Sequence, residues 1–313
     1  DIANRAVISP TQALQGKAAG VVVTTNSGTP GDAPSVRIRG VGTVGNANPL
    51  YVVDGVFVDD IRFLNTQDIQ SMEILKDASS LAIYGVRGAN GVVIITTKSG
   101  QQGSAQITFD SYYGITDVAK TIKMANAEQY RQLTREAIIN TTPPGETPEI
   151  PPVILNSATT STNWFDQILD NGAIQNYQLA ISGGSEKVTY NVSAGYSREK
   201  GLLMNSSYER INVRANNDYK PFEKLKFGHS LAFSTSYSNN IPTSAMLTAY
   251  NAPPLYSPTN SEGNFIGPPI SNVGNPVAQI FYTYDKVRTN RFVGNAFGEL
   301  TLLKDLRLRS SFS

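Results

Sequence analysis

Residue types suited to covalent or ligand chemistry are sparse and scattered in this chain. Gly40, Gly42 and Gly45 follow the run Ser35 to Arg39 as G-x-G-x-x-G, and Asp59 and Asp60 stand about twenty residues on, as in a dinucleotide fingerprint. That fingerprint works only where it opens a helix whose N-terminal amides hold a pyrophosphate. Here Asn46 to Pro49 follows and a new strand starts at Leu50, so the glycines read as a loop. The single histidine, His229, has no second histidine and no cysteine to join it, which removes a histidine metal centre, and no G-x-S-x-G nucleophile accompanies it. Asp54, Asp59, Asp60 and Asp68 lack the spacing and the glycine of a calcium loop; they read as turn and capping acids, with weak calcium binding as the alternative. No catalytic residue, metal centre or cofactor is expected, and the chain does not read as an enzyme.

The remaining candidates are arginines, amides and aromatic rings. Arg37 and Arg39 alternate with Val36 and Ile38, so both arginines face one side of a strand, and that side must be wet or paired. Trp164, Phe165, Tyr250, Tyr256 and Phe265 lie in long polar connections, where an aromatic face stacks on a sugar ring as readily as it anchors its own loop. With Asn46 and Asn48 they form the candidate substrate-binding set.

These side chains are carried by two kinds of pattern. Residues 1 to about 103 alternate short strands and turns with little helix and read as a compact α+β domain. Thr11 to Ala19 reads as a short helix, Val21 to Thr25, Ser35 to Arg39 and Leu50 to Val53 as strands. Met72 to Leu75 and Gly91 to Thr97 are further strands flanking a helix over Ala78 to Tyr84, capped by Asp77 and stopped at Gly85. From Gln106 onward apolar residues recur with period two, giving seven half-buried strands over residues 104–313. Their connections alternate short and long, and the two longest, 119–174 and 239–287, hold most of the 17 prolines. Such asymmetry fits an outer-membrane β-barrel with tight turns on one side and long loops on the other. No run of about 18 apolar residues is present, so no transmembrane helix is expected, but barrel strands escape that test. A net charge of +1, from 26 basic and 25 acidic residues, gives no footprint for nucleic acid. Seven strands do not close a wide barrel, for which about 22 are expected, so both ends read as truncations.

The stretch LKDASSLAIYGVRGANGVVIITTKSG, with ALQGKAAGVVVTTNSGTPGDAPSVRIRG and PLYVVDGV upstream, resembles the plug of SusC/RagA-type TonB-dependent outer-membrane transporters. The resemblance implies a plug over residues 1–103 and the first strands of an outer-membrane barrel over 104–313, in a Gram-negative bacterium. It implies import of an oligosaccharide or peptide, captured under a SusD-like surface lipoprotein and driven by TonB with ExbB and ExbD. The barrel's outer face would meet membrane lipid. It also implies pairing of plug arginines with acids of the barrel wall, for which Arg37 or Arg39 with Glu299 is the candidate pair, solvation in a wet lumen being the alternative. A TonB box is not visible in Asp1 to Arg5. Gly85, Gly88, Gly91 and the loop Gly40 to Asn48 are candidate hinges or static turns. The competing reading is a surface glycan-binding protein or adhesin without a channel, which explains the long loops but not the N-terminal domain.

Overall fold

The computed structural model describes residues 9–25, 27–40, 45–156, 160–268 and 270–313. The TonB-box question at Asp1 to Arg5, Gly42 of the glycine pattern and part of the Gly40 to Asn48 loop lie outside this set.

The N-terminal unit holds two small sheets. β1 (Val21–Thr24) and β2 (Ser35–Ile38) pair antiparallel. β3 (Leu50–Val53), β4 (Val56–Val58), β5 (Ile69–Leu75) and β6 (Val92–Thr97) form a second sheet in the order β4-β3-β6-β5, with β3 and β6 parallel. The continuous apolar run of β6 suits its central place: Val92, Val93 and Ile95 are fully buried. Val93 and Ile95 pack with Val36, Ile38, Tyr51, Val53, Ile61 and Leu64 into one core. Two helical expectations are corrected. Thr11 to Ala19 yields only one 3₁₀ turn at Gln12–Leu14, because the six other residues include Gly16 and no apolar stripe to bury. The α-helix after Asp77 is α1 (Ala78–Leu81), and a 3₁₀ stretch Ala82–Gly88 follows, kinked where Gly85 takes φ +58°.

The second part is a meander of seven antiparallel strands. β7 (Gly103–Thr116), β8 (Gly172–Gly184), β9 (Val188–Lys200), β10 (Ser207–Phe222), β11 (Leu225–Asn239), β12 (Lys286–Leu303) and β13 (Leu306–Phe312) follow one another in space as in sequence. Helices occupy the long connections. α2 (Ala127–Thr141) starts on a capping box between Asn126 and Gln129, and is followed by α3 (Pro152–Leu155) and α4 (Trp164–Ile168). α5 (Ser244–Asn251) and α6 (Pro276–Tyr282) lie between β11 and β12 and pack with α4 on a separate apolar core.

Register gives this sheet two distinct faces. Across six strands, Phe109, Leu179, Ala194, Val213, Phe233 and Phe292 share one rung, and Ile107, Ile181, Val192, Ala215, Leu231 and Gly294 the next but one. All the large apolar side chains in these rungs are exposed. Tyr177 and Tyr196 stack beyond one edge of this band, and Tyr219, Phe227 and His229 group beyond the other. An apolar band with aromatic margins is what a wall facing hydrocarbon requires. His229 thus keeps the outward register expected for it, and its imidazole meets Asn217 on β10. The opposite face is polar yet buried, through Gln178, Asn191, Ser193, Arg210, Asn212, Arg214 and Asn216, because the N-terminal unit lies against it.

Placing a charge in the band tests this orientation. Phe233→Arg should cost about 2–4 kcal/mol of stability in lipid vesicles. Unchanged denaturant midpoints for that variant would put the face in water.

Candidate functional site

Contact between the N-terminal unit and the wall is made by hydrogen-bonding side chains at three levels. The middle level centres on Asp54. It sits with Gly55 in the two-residue turn from β3 to β4, and both have positive φ, as a tight hairpin turn demands. The turn points its carboxylate at the wall. There it accepts from the backbone N–H of Thr97 at 2.9 Å, the hydroxyl of Thr97 at 2.7 Å, the hydroxyl of Ser230 at 3.0 Å and the guanidinium of Arg214. Arg214 also donates to Thr97 at 3.1 Å and to Ser230 at 2.7 Å. Asn216, two residues further along β10, donates to Thr97 Oγ1 and to the Lys98 carbonyl. A buried guanidinium is tolerable only when paired and hydrogen-bonded, and Arg214, 4% exposed, meets both conditions through atoms of the N-terminal unit.

A second contact runs through Gln178 of β8. It accepts from the Asn65 amide and donates to the Asp68 carboxylate, both at 2.7 Å. Burial pushes the Asp68 carboxyl above its usual range, with the nearby Ser193 hydroxyl and the charges of Arg214, Lys98 and Arg210 opposing.

The third contact lies toward the end bearing the long connections. Arg291 of β12 reaches the Asp60 carboxylate at 2.9 Å and its carbonyl at 3.0 Å. Burial alone would raise the Asp60 carboxyl, but the Arg62 N–H and the Arg291 guanidinium outweigh it and hold it below the usual range. Arg210 of β10 donates to the Arg62 carbonyl, and Glu199 of β9 accepts from the Gly31 N–H at 2.9 Å. Between these partners lie two adjoining clefts of about 260 and 240 Å3 that share Gly31, Asp32, Arg62 and Tyr208.

The expected residues fall elsewhere. Arg37 and Arg39 do not meet Glu299. Arg39 pairs with Asp77 at 2.7 Å and Arg37 donates to the Asn48 side chain, while Glu299 lies beside Arg307 and Arg309 of β13. Register explains the difference, because Glu299 stands directly opposite Arg309 near the short-turn end. Trp164, Phe165 and Tyr256 are buried in the core beneath the long connections, where the Trp164 indole donates to the Pro253 carbonyl at 2.9 Å and its ring lies 4.9 Å from Tyr256. Tyr250 is half exposed, and Phe265 packs on Phe281 and Tyr282. Asn46 and Asn48 are exposed and tied to Asn90 and Arg37. Asp54, Asp60 and Asp68 are separately engaged by protein donors, and among the described residues no cluster of three acids or histidines is arranged for a metal.

Asp54, Asp60 and Asp68 were read from the sequence only as turn and capping acids, and the wall residues that meet them were not singled out, although a signal was present. In ERINVRANND, Ile211, Val213 and Ala215 alternate with Arg210, Asn212, Arg214 and Asn216, so a buried polar face was legible from parity alone.

A family model described as the TonB-dependent Receptor Plug Domain matches residues 1–92. A TonB-dependent receptor of Formosa agariphila is 35% identical across 96% of this chain, which spans 31% of that relative. The TonB-dependent receptor SusC of Bacteroides thetaiotaomicron is 32% identical across 95% of the chain and 32% of the relative. The chain therefore spans about a third of the length of these relatives. Among solved structures, the RagAB peptide importer in its closed-closed state superposes with a TM-score of 0.82 at 25% identity, over 99% of this chain and 39% of that one. The ferric enterobactin receptor PfeA of Pseudomonas aeruginosa, at 15% identity and a TM-score of 0.54, shares the fold.

Two tests follow from the geometry. Gln178→Leu strands the buried Asn65 amide and Asp68 carboxyl and should destabilise the N-terminal unit by about 1–3 kcal/mol, read as faster hydrogen exchange in β5 and β6. The two carboxylates have opposite pH signatures. With its depressed folded pKa, Asp60 contributes stability that is present above the ordinary carboxylate range and lost as pH falls through the folded value. With its raised folded pKa, Asp68 contributes stability that is present at acid pH and lost as pH rises through the folded value. Asp60→Asn should therefore flatten the acid limb of a stability–pH profile, and an unaltered limb would contradict the assignment.

Proposed function

We propose, since the chain belongs to the SusC/RagA-type TonB-dependent receptors, that it serves TonB-dependent import across the outer membrane of a Gram-negative bacterium. The observation that carries this is the mode of contact between plug and wall. A plug that must seal a wide barrel and still be displaced needs contacts that are directional and few, and here buried hydrogen bonds at Asp54, Asp60, Asp68 and Asn65 dominate over apolar packing. Among the described residues, Ala232 is the one wall residue that enters the buried plug core, and Val293 packs against that core.

In the proposed cycle a substrate, an oligosaccharide or a peptide, is captured at the end bearing the long connections, under a SusD-like surface lipoprotein. TonB, energised through ExbB and ExbD, then draws on the plug, and the polar contacts release in turn. RagAB is titled a peptide importer and SusC a TonB-dependent receptor, which supports this assignment of partners by kinship. The start of β7 at Gly103 supports a plug boundary near residue 103. Tyr250, Phe265, Asn46 and Asn48 are the proposed substrate contacts among the expected residues, while Trp164, Phe165 and Tyr256 hold the loop framework beneath them.

Tethering plug to wall tests the mechanism. The chain has no cysteine, so a disulfide between Asp54→Cys and Ser230→Cys in the full receptor would be the only one within these residues. Uptake should fall to the level of a strain lacking TonB when the pair is oxidised and recover on reduction. Full uptake in the oxidised state would refute displacement of this part of the plug.

A further inference from the structure

The first of the two clefts at the end bearing the long connections is lined by a buried guanidinium whose hydrogen bonds the protein leaves incomplete. Arg210 is 2% exposed, yet among the described residues it forms no ion pair. Its Nη1 donates to the Arg62 carbonyl, and its Nε has no partner. Arg214, four residues along the same strand and also buried, is paired with Asp54, so the plug does supply a carboxylate to a buried wall guanidinium elsewhere. The charge of Asp68 reaches Arg210 without forming an ion pair, but a buried donor left without a partner is costly, and its persistence points to an acceptor that comes from outside.

The surroundings of Arg210 fit that reading. Arg62 stands across the first cleft on the plug side, half exposed, and lines both clefts. Its single ion pair is a 3.4 Å contact with Asp60, a carboxylate that Arg291 already holds at 2.9 Å. The acids that line the first cleft are engaged: Glu199 accepts from the Gly31 N–H, and Asp32 accepts from the Ser27 hydroxyl. Gly31 presses its backbone on the Tyr208 ring so closely that a Cβ there would stand 2.3 Å from Cδ2, which fixes the cleft floor. Two guanidiniums, one from the wall and one from the plug, thus face a cleft whose own carboxylates are occupied.

We propose that this cleft receives a carboxylate of the imported substrate, bound between Arg62 and Arg210. The substrate is then an acidic one, either a uronic-acid oligosaccharide or a peptide presenting its terminal or side-chain carboxylate. A guanidinium matches a carboxylate in a planar, two-bond geometry, and one ligand bridging Arg62 and Arg210 would link plug to wall. This rests on the importer reading for the source of the ligand, but binding is measured without TonB.

The test uses the purified full-length receptor in detergent and calorimetric titration with four probes: a tetra-uronate, its carboxyl-reduced neutral counterpart, an acidic hexapeptide, and the same peptide amidated at every carboxyl. At least one acidic probe should bind, at least about tenfold tighter than its neutral partner, and Arg62→Gln should remove that preference. Arg210→Lys, which keeps the buried charge and guards against misfolding, should weaken the acidic probe by a similar factor. Which acidic probe binds identifies the source of the carboxylate. Equal binding of acidic and neutral partners, no binding of any probe, or unchanged preference in both variants would overturn the proposal. TonB-dependent uptake of a neutral substrate alongside such a result would leave the importer reading standing, whereas acid-selective binding without TonB-dependent uptake would sink only that reading.

Discussion

Arg214 is a full positive charge on the inner face of a sheet, 4% exposed, and the fold around it depends on how that charge is met. The acids of its own strand, Glu209 and Asp218, pair elsewhere, with Arg198 and Lys226. The carboxylate comes from Asp54, 160 residues earlier, at the tip of a turn in a separate unit, and Thr97 and Ser230 complete the shell. A buried pair of this kind adds little net stability, because desolvation offsets attraction, but breaking it leaves a bare charge and is expensive. Such an interaction specifies where the plug sits more than how firmly it is held. The neighbouring contacts at Gln178 and Asp60 have the same character, so the plug is keyed to the wall by direction of hydrogen bonds.

That mode of contact follows from the two faces of the wall. Period-two alternation commits one face to apolar residues, and the same alternation leaves serine, asparagine, glutamine and arginine on the other. A plug with an apolar surface would leave those groups unsatisfied. The plug instead offers the turn at Asp54, the capping Asn65 and the carbonyls of Arg62 and Lys98, while Val36, Ile38, Val53, Ile61, Val93 and Ile95 stay inside its own core. A plug with its own core and a polar exterior can leave the wall without unfolding.

Much of this was legible in the sequence, and the parts that were not share a cause. The seven strands and the long connections emerge from alternation and proline placement, because each depends on neighbours in the chain. The plug motif could be recognised from a long, specific run around Gly85 to Thr97. The short strand β4 was overlooked although Asp54-Gly55 between apolar runs is a strong hairpin signal. Pairing across the interface was not legible. The expected partners, Arg37 or Arg39 with Glu299, had the right chemistry and parity, but local partners intervened: Asp77 and Asn48 on the plug, Arg307 and Arg309 on the wall. Loop aromatics presented the same difficulty, since nothing in the local sequence separates Trp164, which is buried, from Tyr250, which is half exposed.

The most direct measurement of this account is a double-mutant cycle on Asp54 and Arg214 in the full-length receptor, read as hydrogen-exchange protection of β6 in the plug. Asp54→Ala alone should lower that protection by about 3–5 kcal/mol, because it leaves Arg214 buried and unpaired. Combining it with Arg214→Met should recover most of the loss, giving a coupling of about 2–3 kcal/mol between residues on the two parts. Additive effects of the two substitutions, or no change in protection from either, would mean that the plug is seated by something other than this pair.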